Sequence, residues 1–391
     1  MDSLMRRNIR LLYVFQIVRN FLVSIPIIVP FFQENGLSQT DIYVLQSLFA
    51  LTIVLLEIPT GYFADYVGRK QSLLIGALLS TLGFVSYSLA YGFLPILLAE
   101  IMLGMGYSFI SGADTALAYD SFAAQGEEGK YLSFASRSNG YSGMSEAVAS
   151  LVGGFLALIS LRTPLIAEAA VYAATIPIVF FLTEPKRVKS AAHNPFKDIL
   201  RITQYALHGH KEIKWLIFYG AIMGTLTHTM VWLTQPYYQL VGVPLGWFGA
   251  LWAAQLFIMG VFAHNAERYE QWLGKRFALF SFPIIGVISY IVLGLFPSVA
   301  ILPIILGFYF VRGVHIPILH QYVNSIVASD IRATVLSVKN LAQKLVYSLF
   351  GPMIGVVVDA YSLQTGLLFS ALLYGSLSLI VILNMRRLKI I

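Results

Sequence analysis

The chain has 391 residues, of which 58% are hydrophobic and 12% charged, with a net charge of +7, a mean hydropathy of +0.75 and no cysteine. This composition excludes an ordinary soluble domain and points to a membrane protein, and the lack of cysteine excludes a disulfide framework, a thiolate nucleophile and thiolate-bound metal. The 26 Lys and Arg form no stripe on a soluble domain, so the positive charge does not mark a nucleic-acid partner.

Arg6, Arg7 and Arg10 lead into an apolar segment that is long and lacks a small-residue cleavage site, so this segment is expected to stay in the membrane as a span. A spanning helix needs about 20 mostly apolar residues. Runs of that kind predict twelve helices, starting near Leu11, Asp41, Gln71, Phe93, Tyr131 and Thr163, then Glu212, Pro244, Arg276, Val299, Arg332 and Leu363. Trp215–Ala266 contains no Asp, Glu, Lys or Arg, which is room for two spans. Between the sixth and seventh spans, Glu184–Lys214 carries seven Lys and Arg, and Asn194–Leu207 predicts a short amphipathic helix at the interface. The expected fold class is an all-α polytopic membrane protein, with six-helix bundles over 1–184 and 213–391 and a cytoplasmic linker over 185–212.

Short cytoplasmic loops accumulate Lys and Arg. With both termini inside, the inner turns and ends hold nearly all of them: Arg6, Arg7 and Arg10, then Arg69 and Lys70, Lys130, the linker, Arg268, Lys275 and Arg276, Arg332, and Arg386, Arg387 and Lys389. The outer loops hold only Arg162. Sliding the chain by 206 residues places Gly36 on Gly242, Leu45 on Leu251, and Gly68-Arg69-Lys70 on Gly274-Lys275-Arg276, the signature of a duplicated bundle.

The turn after the second span reads Gly61-x-x-x-Asp65-x-x-Gly68-Arg69-Lys70. It resembles the signature loop of the major facilitator superfamily, and the twelve-span layout extends the resemblance to the whole chain. The resemblance implies two pseudo-symmetric bundles around a central cavity, rocking to expose a midplane site to alternate sides, with Gly61, Asp65, Gly68, Arg69 and Lys70 as a gate. Where many members have a basic residue after the aspartate, this chain has Tyr66. In the fourth span Glu100 stands four residues before Gly104-Met105-Gly106, where the family often has arginine. In the fifth span, Ser145 to Gly154 resembles the glycine-rich stretch of drug and proton antiporters, with Ser150 in place of its proline. The whole is similar to small bacterial efflux-type members, which implies a place in the bacterial inner membrane.

A charge at the bilayer centre costs about 2.5 to 3.5 kcal/mol on insertion scales, so function is sought where spans carry charge. Gln16, Arg19 and Asn20 share one helical face, as do Glu100, Gly104, Tyr107, Ser111 and Asp114, and Arg19 and Asp114 are expected to pair. Arg137 and Glu146, nine residues apart, point about 180° away from each other and cannot bind each other. The second half is basic: His228, Arg312, His315, His320 and Lys344. Such a set can hold an anionic or zwitterionic solute or change protonation near neutral pH, while Asp114 and Glu146 are candidates to carry a coupling proton. Each of these has a plain alternative: a packing pair for Arg19 and Asp114, and an interhelical hydrogen bond for each histidine. Asp120 and Lys339 are expected as solvated or capping residues near helix ends, and Glu168 as unremarkable.

No nucleophile elbow, phosphate loop or zinc motif appears, and no enzyme, cofactor or metal is expected. The expectation is a monomeric secondary transporter in the lipid bilayer, coupled to protons, with sodium as the alternative ion. The leading reading is export of a drug-like or metabolic small molecule by proton antiport. The alternative is proton-coupled uptake of an anionic or zwitterionic solute such as an organic acid, amino-acid derivative or siderophore. A receptor that binds without moving solute is a third class.

Overall fold

The structure, a computed structural model, describes residues 2–185, 209–327 and 331–388. The amphipathic helix expected over Asn194–Leu207, with most of the linker, lies outside the described residues. Among the described residues the chain is helical and has no strand.

The helices in chain order are α1 (Asp2–Arg19), α2 (Ile28–Glu34), α3 (Gln39–Tyr66), α4 (Arg69–Leu89), α5 (Phe93–Ile110), α6 (Ala113–Ala123), α7 (Tyr131–Leu156), α8 (Thr163–Ala173) and α9 (Thr175–Phe180). They continue as α10 (Lys211–Leu240), α11 (Phe248–His264), α12 (Ala266–Leu295), α13 (Leu306–Ile326), α14 (Arg332–Ala360) and α15 (Leu363–Arg387). Ten helical stretches among the described residues are long and apolar enough to cross a membrane. The two expected spans outside that set are unlike the rest. The first starts at Asp2 instead of near Leu11 and is broken at Asn20–Ser24 before a 3-10 turn at Ile25–Ile27 and α2. The fifth, α7, is one 26-residue helix whose middle is rich in Ser and Gly and carries Arg137 and Glu146. The ninth begins ten residues early, at Ala266, because the turn before it is itself helical and is bent at Gly274, where φ is 75°.

Packing divides the chain into two compact units: Met1–Gly36, Leu48–Pro195 and Leu245–Ala253 form one, and Leu37–Ser47, Phe196–Pro244 and Ala254–Ile391 the other. In the first unit, Leu12, Phe15, Leu73, Ile110, Leu117, Phe122, Phe134 and Val179 build a buried cluster. Small residues let its helices approach closely. A Cβ on Gly76 of α4 would lie 2.8 Å from the Gly106 carbonyl of α5. The Gly-Gly pair of α7 works the same way: a side chain on Gly153 would run into the Val23 carbonyl at the break in the first span, and one on Gly154 would lie 3.1 Å from the Gly249 nitrogen.

In the second unit α10 is buried along most of its length, from Ile213 to Tyr238. A helix with few lipid-facing positions must have its polar groups satisfied by protein. Tyr219, Tyr290 and Tyr43 donate their hydroxyls to the carbonyls of Leu279, Leu226 and Thr229 at 2.7, 2.8 and 3.0 Å.

Three helix starts take their capping carboxylate from far along the chain. Glu184 accepts the amides of Arg69 and Lys70 at the start of α4, at 3.1 and 2.8 Å. Asp359 accepts those of Gln39 and Thr40 at the start of α3, at 2.9 and 2.7 Å. Glu168 accepts that of Ser24, where the first span resumes, at 2.7 Å. Each satisfies amides that a helix start leaves unpaired, with an acceptor oxygen at the positive end of its dipole. Arg162, before α8, joins three turns of the first unit by donating to Asn35 Oδ1 at 2.8 Å, Ser88 O at 3.0 Å and Ala90 O at 2.8 Å.

Candidate functional site

The first unit holds an ion pair where two spans are interrupted. Arg19 ends α1, and Asp114 lies in the first turn of α6, after Gly112 breaks the fourth span with φ 80°. The Arg19 guanidinium meets Asp114 Oδ2 at 2.8 Å, with side-chain exposures of 12% and 7%. Gln16 donates to the same oxygen at 2.7 Å, and the Thr115 amide to Oδ1 at 2.7 Å. Each charge also sits at the helix end that favours it, the cation at a carbonyl end and the anion at an amide end. The guanidinium lies over the Tyr107 ring, 5.1 Å from its centroid. Asn20 donates to Ser142 on α7 at 3.1 Å, so three spans meet at this pair.

The other charges of this unit are placed around it. Glu100 is buried on α5 and interacts with the Tyr87 hydroxyl of α4. Glu146 accepts from Trp252 Nε1 at 3.4 Å, while Arg137 acts on Tyr13, so the two charges of α7 do face different neighbours.

At the signature turn, Gly68 has φ 147°, and α4 starts directly after it. The Arg69 guanidinium is bound by Asp120 and by the Ala116 carbonyl at 2.6 Å. Asp65, 73% exposed, is a looser neighbour at 3.9 Å. Lys70 Nζ donates to Phe180 O at 2.7 Å. Asp120 is therefore an ion-pair partner and not the solvated or capping residue expected from its place near a helix end. The carboxylate that caps α4 belongs to Glu184, more than a hundred residues away, where no local capping pattern points to it.

In the second unit, His315 of α13 is buried, donates Nδ1–H to the Val311 carbonyl at 2.8 Å, and is acted on by Arg312, Lys339 and His320. His228 of α10 packs edge-on against Tyr347 with ring centroids 4.7 Å apart, and it too feels Arg312. Lys339 is 6% exposed and donates to His320 Nε2 at 3.1 Å. It is thus an interior residue and not the solvated or capping one expected, because the inner part of α14 packs against α10 at Gly220, where a Cβ would touch the Lys339 stem. Lys339 is the α14 lysine that acts on His315. Lys344 lies five residues further along the same helix.

Residues 11–350 match the pattern of the Major Facilitator Superfamily. A stretch of 227 residues is 23% identical to the quinolone resistance protein NorA of Staphylococcus aureus, covering 57% of this chain and 55% of NorA; the match spans about half the length of these curated relatives. Among solved structures, a bacterial homologue of the human lysosomal transporter Spinster superposes with a TM-score of 0.81 at 16% identity, over 99% of this chain and 98% of that one. The nucleoside transporter NupG gives 0.76 at 13%, over 98% and 99%. The D-xylose-proton symporter gives 0.73 at 14%, over 98% and 97%.

Proposed function

Because the chain belongs to the Major Facilitator Superfamily, and is therefore a membrane transporter and not an enzyme, we propose that it is a secondary transporter exporting a drug-like or metabolic small molecule by proton antiport. The observation that carries this reading is the Arg19–Asp114 pair at two interrupted spans. Protonating Asp114 removes the charge that holds Arg19, so proton binding and the arrangement of the first, fourth and fifth spans are linked. The name of NorA, a quinolone resistance protein, supports the outward direction. On this reading the protein is a monomer in the bacterial inner membrane with both termini cytoplasmic, and the turn from Gly61 to Lys70 gates alternating access.

The test is flux in proteoliposomes under an imposed pH gradient, with lipophilic cationic dyes as probes. Gradient-driven export is expected in the wild type and is lost in Asp114→Asn. Gradient-driven export that survives in Asp114→Asn sinks the role given to the pair.

A second reading, uptake of an anionic or zwitterionic solute at Arg312, His315 and Lys344, is favoured by one observation: the side chains acting on His315 are Arg312, Lys339 and His320, with no carboxylate among them. A ligand that binds the folded state raises its stability. Thermal shifts with matched anionic and cationic compounds at about pH 6 and 8 separate the readings. Stabilisation by anions that disappears in Arg312→Gln selects uptake.

A further inference from the structure

Glu168 lies in a stretch apolar enough to span the membrane, and it is 1% exposed. Its two oxygens have different surroundings. Oε2 accepts the Ser24 amide at 2.7 Å, and the Ser24 hydroxyl and Val23 amide also act on the carboxyl. Oε1 is fully buried and has no hydrogen-bond partner among the described residues. Both donor residues belong to the Asn20–Ser24 break in the first span. The other groups that face this carboxyl are Glu146 from α7, Tyr87 from α4 and Tyr172, one turn along α8. None of these is a cation. Arg19, the cation of this neighbourhood, acts on Tyr172 and is bound by Asp114.

Opposing effects meet at this one group. Donors aimed at Oε2 favour the carboxylate. Full burial, the negative charge of Glu146 and an oxygen with nothing to solvate it favour the neutral acid. We propose that Glu168 is a reversible proton-binding site, with its proton on Oε1 and its proton affinity set by the amides of the broken first span. Those amides are free to serve Glu168 because the span is interrupted there. If the break were to close into continuous helix, they would turn to helix carbonyls, and the carboxylate would lose the donors that sustain its charge. Proton binding at Glu168 and the shape of the first span are then two sides of one equilibrium. Gly153 ties α7 to the same point, since any side chain there would collide with the Val23 carbonyl.

The protonation itself stands apart from the antiport reading; only its use in transport rests on that reading. The direct test is infrared difference spectroscopy of the purified protein between about pH 5 and 9, a range that brackets displaced carboxyl titrations, reading the C=O stretch of a buried neutral carboxyl. The band should vanish as pH rises, be missing from Glu168→Gln, and shift in Glu168→Asp, with both variants checked for native size-exclusion profiles. A wild type with no titrating band, or a band unchanged in Glu168→Gln, overturns the site. In liposomes, Glu168→Gln should keep solute counterflow and lose acceleration by a pH gradient; acceleration that persists overturns its part in coupling. A wild type indifferent to the gradient, with the band still assigned to Glu168, supports the site and overturns the antiport reading instead.

Discussion

Gly36 and Gly242 turn the backbone with φ 80° and 77°, and Gly68 and Gly274 with φ 147° and 75°, each pair being separated by the same 206 residues (242 − 36 and 274 − 68). The two halves thus repeat positive-φ glycines at the same spacing. Their buried chemistry does not repeat. The first half pairs acids with bases, Asp114 on Arg19 and Asp120 on Arg69, and sets Glu168 at a helix break. The second gathers Arg312, His315, His320 and Lys339 without a carboxylate acting on His315. A turn needs a residue without a Cβ wherever φ is positive, and that demand is the same in both copies. A buried charge needs only a partner or a ligand, which each copy supplies in its own way.

The largest expected effect tests that contrast. Asp114→Asn leaves Arg19 buried without its counterion, and removing one member of a buried pair costs about 3 to 5 kcal/mol. Thermal unfolding in detergent should fall steeply, and the double variant Arg19→Gln with Asp114→Asn should recover most of the loss. In the second half the sign reverses. Lys339→Met keeps the stem that packs near Gly220 and removes a buried ammonium that no carboxylate acts on among the described residues, so its melting temperature should hold or rise. If both variants lose stability equally, the cluster of the second half contains a structural pair of its own, and the contrast between the halves fails.

What the sequence made legible follows the same division. Helix starts at Phe93, Tyr131, Thr163, Arg332 and Leu363 coincide with the expectation, because a turn or bend precedes each. The pairing of Arg19 with Asp114 was readable from their similar depths, counted from the helix ends. The breaks that give the pair its setting were not. Pro26, just beyond Asn20–Ser24, and the Ser111-Gly112 step were the available signals, but the run of apolar residues continues through both. Remote caps were invisible for a different reason: a capping pattern is sought within about four residues of a helix start, whereas Glu184 and Glu168 lie more than a hundred residues from the amides they accept. Lys339 was misplaced because distance from a helix end measures depth in the bilayer and says nothing of which neighbour covers the side chain.

A middle-sized effect sharpens the repeat itself. At Gly274 an added Cβ would meet nothing within 4 Å, so Gly274→Ala should cost only the strain of its backbone, φ 75° and ψ 155°, about 1 to 3 kcal/mol. At Gly68 the same Cβ would also run into the Gln71 side chain and come within 3.5 Å of Glu184, the cap of α4. Gly68→Ala should therefore lower the melting temperature further than Gly274→Ala does. Equal losses would mean that Glu184 adds nothing to the turn, and the halves would be alike there in energy as well as geometry.

The smallest effect on stability, and the most specific one on function, belongs to Asp65. Its carboxylate is 73% exposed and stands 3.9 Å from an arginine already bound by Asp120. Exposed ion pairs contribute about 0 to 1 kcal/mol, so Asp65→Asn should leave the melting temperature and ligand affinity within error of the wild type. Gating is another matter, since a gate is felt as a rate. Transport measured at saturating solute should slow severalfold while thermal-shift affinity stays constant. The partner turn carries Lys275 and Arg276 after Gly274 but has no acid at the position matching Asp65, which is Gln271; Gln271→Ala should leave the rate alone. If Gln271→Ala slows transport as much as Asp65→Asn does, the acid is not what makes the first turn a gate, and the two turns are functionally as well as geometrically repeated.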